Sequence, residues 1–508
     1  MMQRLILCAT ALAFGILAPA LGSRATAQPT TRGATPTPIP SPPASTLPYP
    51  AYGTPAPGVS QTRAAPGVPV NITLTQAIDI AVAISPSMAT ARANLALAQA
   101  NVGLARAPAL PSLSGTATTN RSNSQASING NLGNGTNGAQ GNVGNLGNGG
   151  SSTSSRSGAF TSNSLTANLR QLIFDGGRVA NQIRAASENE VASADNLKRQ
   201  LQTTAFNVAA AYYNAIQAQR ATTLAAAIVR QNQVQESLVA AQIRAGTAAR
   251  SDLATAQFPT AQARVSLVKA QGTELAALAT FANTLGLNAD TAVRPIDTTP
   301  SNPTASLLQT PLLTYDTALT RAISLRPDYD AADRVVRGAR DSLRAARLGL
   351  FPSLTGNGSY GVNSTDATGG TFRNSNSIGA ALSIPIFDQG LTAAQSAQAQ
   401  ANLDIANASF QTTVLGIQLN VRQVLVNLVS AQAALDQTQA ELNQARTVLQ
   451  ATQAQYRAGV TSLPLLLNAQ VGLTTAQTDN LNAIYALRQA EQSYLFALGE
   501  NDLANSGS

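Results

Sequence analysis

Ile173-Phe-Asp-Gly-Gly177 and Ile386-Phe-Asp-Gln-Gly390 are one phrase written twice, 213 residues apart, and their surroundings are duplicated with them. Upstream, Ala107-Pro-Ala-Leu-Pro-Ser-Leu113 answers to Leu348-Gly-Leu-Phe-Pro-Ser-Leu354 at a shift of 241. Downstream, Arg244-Ala-Gly246 matches Arg457-Ala-Gly459, Ala256-Gln257 matches Ala469-Gln470, and Leu285-Gly286 matches Leu498-Gly499, all at 213. In the first half, register holds over about 71–113 and again over 174–286, and the whole 28-residue difference falls between those blocks. Segments of fixed length flanking a loop of free length describe an internally duplicated chain.

The pattern predicts, in each half, a helix, a strand pair, a very long helix and a returning helix. The first helix runs from about Thr73 to Arg106 and from Thr314 to Arg347, broken or kinked at Pro86 and Pro327. The strands alternate with period two. Leu165, Ala167, Leu169 and Ile173 share one face opposite Thr166, Asn168 and Arg170; Ile378, Ala380, Leu382, Ile384 and Ile386 share one face in the second half. Such a sheet suits lipid on one side and water on the other, and equally a half-buried soluble sheet.

The long helices carry the clearest periodicity. Val414, Val421, Leu428, Leu435, Leu442, Leu449 and Tyr456 stand seven apart, with Ile417, Val424, Ala431, Thr438, Ala445 and Thr452 three further on. That spacing specifies a coiled coil. The row Leu201, Val208, Ala215, Thr222, Val229, Glu236 and Ile243 in the first half is looser. A helix from Asp388 to Tyr456 is about 100 Å long, comparable with the depth of a bacterial periplasm, which suits a spacer or a duct wall. Asp175 and Asp388 are the N-cap candidates.

Composition narrows the function. Charged residues are 11% and aromatics 4%, with no Trp, so small residues dominate, as closely packed helices require. The net charge of +8 is scattered, with no basic run longer than Lys198-Arg199, and reads as a solvated surface rather than a nucleic-acid site. There is no His, and Cys8, the sole cysteine, falls in the leader, which removes the usual zinc, thiol and His-triad chemistries. Lys198 and Lys269, the only lysines, follow no glycine-rich phosphate loop, and Asp328, Asp330 and Asp333 read as complements to a helix start. No cofactor, metal or catalytic activity is expected.

The chain opens as a signal peptide over 1–27: Met1 to Arg4 is basic, Leu5 to Leu21 apolar, and Ala25-Thr-Ala27 offers a cleavage site. A membrane anchor is the other reading of this stretch. No later stretch approaches the ~20 apolar residues of a membrane helix, so any bilayer crossing is by strands. A Pro-rich linker fills 28–70, with twelve prolines between 29 and 69. The first repeat is 71–287, with a β-hairpin at 113–174 and a helical hairpin at 175–285; a linker spans 288–311. The second repeat is 312–500, with a β-hairpin at 354–387 and a helical hairpin at 388–498, followed by a tail at 501–508. The first β-hairpin's tip, about 129–155, is a Gly/Asn/Ser loop.

Four strands cannot close a barrel, and an open sheet would leave unpaired edges in lipid. A lipid-embedded sheet therefore requires several copies, and three give twelve strands with pseudo-sixfold helical walls.

The doubled Pro-Ser-Leu, Phe-Asp-x-Gly and Arg-Ala-Gly motifs, in order over about 71–500, resemble those of the TolC-like outer-membrane efflux proteins. The resemblance implies a mainly α trimeric channel-tunnel. Four strands per chain would share a twelve-stranded outer-membrane barrel, continuous with a periplasmic coiled-coil barrel. It implies an exit duct for efflux or type I secretion, in outer-membrane lipid, driven by an inner-membrane transporter through a periplasmic adaptor. Adaptor docking maps onto the turns Ala245-Gly246-Thr247 and Ala458-Gly459-Val460, and a periplasmic gate onto a phenol–carboxylate link between Tyr456 and Asp252. Plain helix capping and packing are the alternatives at those residues. Leu465 and Asn468 stand where some members carry inward carboxylates, and Thr461 where they carry an arginine, so a strong acidic ring is not expected. A periplasmic or surface coiled-coil scaffold or adhesin without a pore is the competing function.

Overall fold

Two helices of 67 residues each, α3 (Arg178–Arg244) and α7 (Leu391–Arg457), set the length of the molecule. The computed structural model describes residues 70–125, 157–296, 313–365 and 371–500. The leader, the Pro-rich linker up to residue 69, the 129–155 loop and the 501–508 tail lie outside the described residues.

The element order in the first half is β1 (Val70–Ile72), α1 (Leu74–Ile84), α2 (Pro86–Arg106), β2 (Ser112–Gln125), β3 (Ser157–Phe174), α3, α4 (Arg250–Thr284) and β4 (Val293–Pro295). The second half runs α5 (Tyr315–Leu325), α6 (Pro327–Arg347), β5 (Ser353–Thr365), β6 (Phe372–Ser383), α7 and α8 (Leu463–Leu498). The prolines break the first helix of each half as expected: α1 and α2 meet at Ser85 with a bend of 49°. A capping box between Thr73 and Gln76 starts α1.

The sequence reading differs from the structure in four places. The 288–311 linker contains β4, which pairs in parallel with β1, so the chain entering the first repeat is tied to the chain leaving it. The apolar alternation expected to reach Ile386 stops at Ser383, because Pro385 has no N–H to give a ladder. Asp175 and Asp388 do serve the helix starts, but from two residues outside the cap. Asp388 Oδ1 and Oδ2 accept from the Gly390 and Thr392 N–H groups at 3.1 and 2.7 Å, while Gly390, at φ +83°, occupies the cap itself. Finally, α7 contains a window with a mean hydropathy of 1.3, long and apolar enough to span a bilayer by length and composition. Its packing against α6 and α8, and the polar residues Gln418, Asn420 and Arg422, identify it as a coiled-coil helix.

The heptad row of α7 is buried as its spacing requires. Val421 and Leu435 are fully covered, and Leu428, Leu442 and Leu449 are buried beside Ile417 and Val424. The row packs on Leu466, Leu473 and Ala476 of α8 low in the hairpin, and on Ala483, Leu487 and Tyr494 higher up. In α3 the buried set departs from the heptad, with Gln235 and Val239 covered while Glu236 is not. Helix α3 packs against α1, α2, α4, α6 and α8 at once, so no single stripe serves it. Near its middle Tyr212, Tyr213 and Ile216 form a core with Ile78 of α1, Phe281 of α4 and Tyr485 of α8.

Neighbour relations give the helices an order. Above, towards the strands, it is α2–α3–α6–α7, which repeats the strand order β2–β3–β5–β6. Below, it is α4–α3–α8–α7. Within one chain, the edges are therefore β2 and β6, then α2 and α7, then α4 and α7.

Candidate functional site

Residues directly opposite in an antiparallel pair share a face, so the strand register sorts the sheet residue by residue. Leu113 faces Leu169, Ala117 faces Leu165, Leu165 faces Val362, Ala167 faces Tyr360, and Leu382 faces Leu354. The alternate rows hold Thr116 against Thr166, Thr118 against Ser164, Asn357 against Arg170 and Ser359 against Ser377. One face is thus an apolar band and the other a hydroxyl and amide surface, with hydrogen bonds between Thr118 and Ser164 at 2.6 Å and between Ser359 and Ser377 at 2.8 Å. Towards the loops the apolar rows give way to Asn374 and Asn376.

Nothing among the described residues covers the apolar band. Leu113 is 75% exposed and Ile378 94% exposed. Phe174, Phe351 and Phe387 are exposed where strands meet helices, the position of an interfacial aromatic girdle. A soluble half-buried sheet would have hidden these residues. The described sheet has the two-faced pattern of a bilayer strand array.

At the far end, the two turns are built alike. Gly246 (φ +75°) and Gly459 (φ +72°) take left-handed backbone; the Thr247 and Val460 N–H groups each reach back to the carbonyls of Gln242 and Gln455 at 2.9 Å. These are Schellman caps. Apart from the adjoining residues, nothing described lies within 4 Å of where a Cβ would stand on either glycine, so the backbone there is open to a partner. Val460 is 78% exposed beside it.

Tyr456 joins the two halves near these turns. With Ile243, it packs against a cluster of Val239 and Ala256 of the first half and Leu463 and Leu467 of the second. Its hydroxyl donates to Gln242 Oε1 at 2.9 Å. The expected phenol–carboxylate bond with Asp252 is not the one made in this chain: a carboxamide on the neighbouring α3 meets the hydroxyl instead. Asp252 still acts through its charge. Burial, then Asp252, push the Tyr456 phenol up, against the pull of the Gln242 bond. Sequence spacing gave no sign of Gln242, because the link crosses between hairpins.

The carboxylates near the α6 start serve structure. Asp328 accepts from Arg326 Nε and Nη2 at 3.0 and 2.6 Å, with Arg199 at 3.6 Å. Burial works to raise Asp328, yet the Arg326 bonds and the Arg199 charge outweigh it and hold it below the ordinary range. Arg199 in turn stacks over Phe496 at 4.0 Å, and burial together with Arg326 lowers its pKa to about 10. Arg326 also donates to the Ala497 carbonyl, so this cluster clamps the end of α8.

The profile of the outer membrane efflux protein family matches residues 77–287 and 318–500. The chain belongs to that family. Its members are channel-forming proteins of the outer membrane and not enzymes, and this chain is accordingly an outer-membrane exit duct for efflux or secretion, reaching into the periplasm. It is 26% identical over 341 residues to the outer membrane efflux protein BepC of Brucella suis, covering 65% of this chain and 72% of that one. To protein CyaE of Bordetella pertussis it is 27% identical over 432 residues, covering 85% and 84%. Its fold is similar to the crystal structure of the outer membrane protein VceC from Vibrio cholerae, with a TM-score of 0.67 at 20% identity over 84% of this chain and 96% of that one.

Proposed function

We propose that three copies of this chain close a twelve-stranded barrel in the outer membrane and a helical tunnel in the periplasm. Cargo enters through the turn end, delivered by an inner-membrane transporter and a periplasmic adaptor. The observation that carries this is the unfinished edge. Among the described residues, strands β2 and β6 each have one side without a partner. Alternation of direction along β2–β3–β5–β6 makes β6 of one copy antiparallel to β2 of the next, so a ring closes without a break in the ladder.

The same edges are uncovered lower down. Leu415, Leu419, Val426 and Val429 of α7 stand at coiled-coil spacing and are 53–64% exposed; Phe258, Val265, Val268 and Leu275 of α4 do likewise at 56–70%. Among the described residues neither stripe has a partner, and they lie on opposite edges, so a neighbouring copy satisfies both.

At the entrance, Ala245-Gly246-Thr247 and Ala458-Gly459-Val460 are the adaptor-docking turns. Tyr456, with Asp252, is the gate. The open backbone over both glycines and the exposed Val460 support docking, and the two-half packing of Tyr456 supports the gate.

The test is mass and extraction. Protein purified in mild detergent should weigh as three copies, and membranes washed with high salt should retain it. A single-copy, salt-released species would favour a pore-free coiled-coil scaffold.

A further inference from the structure

We propose that a groove beside Tyr456 binds a small neutral ligand through its amide group, and that the bound ligand loosens the gate. The gate half of this inference rests on the reading of the turn end as a pore entrance; the binding half stands on the groove alone.

The groove lies between α3, α7 and α8 of one chain and holds about 250 Å³. Val234 and Gln235 of α3 line one wall, Tyr456 and Arg457 of α7 a second, and Leu466 and Gln470 of α8 a third. Gln235 and Gln470 are 8% and 5% exposed. Gln235 Nε2 and Gln470 Oε1 are both shut off from solvent, and among the described residues neither has a hydrogen-bond partner. Elsewhere along α3 and α8, carboxamides meet and bond: Asn214 with Gln489 at 2.6 Å, and Gln217 with Asn482 at 3.0 Å. At the groove, one donor and one acceptor sit on different walls instead, unpaired where burial makes that costly.

The ligand's chemistry follows from that pair. An amide, lactam or urea offers its carbonyl to Gln235 and its N–H to Gln470 at once. A carboxylate would meet the Gln470 oxygen with a second acceptor, and an ammonium would meet the Gln235 N–H with a second donor. No carboxylate lines the groove, and the exposed Arg457 further disfavours a cation. Each carboxamide turns about its last side-chain bond, a soft torsion, to present these atoms to the groove. The volume exceeds the share of one bridging water, about 30 Å³, and falls below the roughly 300 Å³ where drug-sized sites begin. Val234, Leu466 and the Tyr456 ring give the rest of the ligand apolar walls, so a compact, flat body fits. The Tyr456 hydroxyl bonds Gln242 on α3, which also walls the groove, so an occupant that spreads the groove pulls on that bond.

Benzamide and its acid isostere benzoate are the probes, offered to full-length detergent-purified protein. Saturation-transfer NMR should give a benzamide signal about tenfold above that of benzoate, because a site built for an N–H rejects the analogue lacking it. The signal should be lost in the Gln235→Leu, Gln470→Leu double variant, with helical circular dichroism and particle mass unchanged. Should that variant fail to fold, Val234→Phe, at an exposed position, fills the groove with both carboxamides intact and should abolish the signal too. In planar bilayers, benzamide should raise the resting conductance of wild type and leave the variants unmoved. A missing benzamide signal, one matched by benzoate, or one kept in the variants would overturn the site and leave water bridging the two carboxamides. Binding without a change in conductance would overturn the link to the gate alone. A preparation that never conducts would overturn the pore reading underneath.

Discussion

Tyr456 is the last member of a heptad row and also packs against a cluster drawn from both halves of the chain, so one side chain is both core and link. Its hydroxyl reaches Gln242, and the nearby Asp252 makes the phenolate less favourable. With the folded pKa raised above the ordinary value near 10, the neutral phenol's contribution is fully present below that pH and is lost only as pH climbs through the raised value. Resting conductance in planar bilayers should therefore be flat between about pH 6 and 9 as far as this phenol is concerned. Tyr456→Phe combined with Asp252→Ala should raise it, and Gln242→Leu alone should raise it as well. If Gln242→Leu behaves as wild type, the carboxamide has no part in holding the mouth shut.

The long second-half hairpin is an element whose stability follows from its spacing. Leu435 is fully buried at the middle of the α7 row, so Leu435→Ala removes a packed side chain from a seam that cannot collapse freely. A loss of about 3 kcal/mol is expected, measured as a lower denaturation midpoint of the helical circular-dichroism signal. An unmoved midpoint would mean that α7 and α8 are not held by this row. Helix α3 shows why the matching row in the first half was harder to read: with five helical neighbours it buries residues all round, including Gln235. The pair Arg488 and Glu491 on α8 is similar. Its spacing is visible in the sequence, but complete burial at 0% and 1% side-chain exposure is set by the elements around it.

For the whole molecule, the uncovered stripes matter more than the covered ones. Val426 of α7 and Val268 of α4 are among them, at 53% and 67% exposure. Val426→Glu together with Val268→Glu should leave helix content unchanged while the detergent-purified particle falls from three copies to one. Glutamate at an uncovered site costs the single chain little, but a charge buried between copies is left unpaired. A particle that keeps its mass with both substitutions would place the intermolecular seam elsewhere.

Periodicity and duplication were enough to establish the order of the long helices and of the four sheet strands, the kinks at Pro86 and Pro327, and the two-faced character of the strands. These are local matters: side-chain spacing against a 3.6- or 2-residue repeat, a missing proline N–H, a glycine that accepts positive φ. The sequence alone could not supply the β1–β4 clasp between chain segments more than 200 residues apart, the Gln242 acceptor for Tyr456, or which stripes each chain leaves bare. Those depend on how helices distant in sequence lie side by side, and no repeat within one helix carries that information.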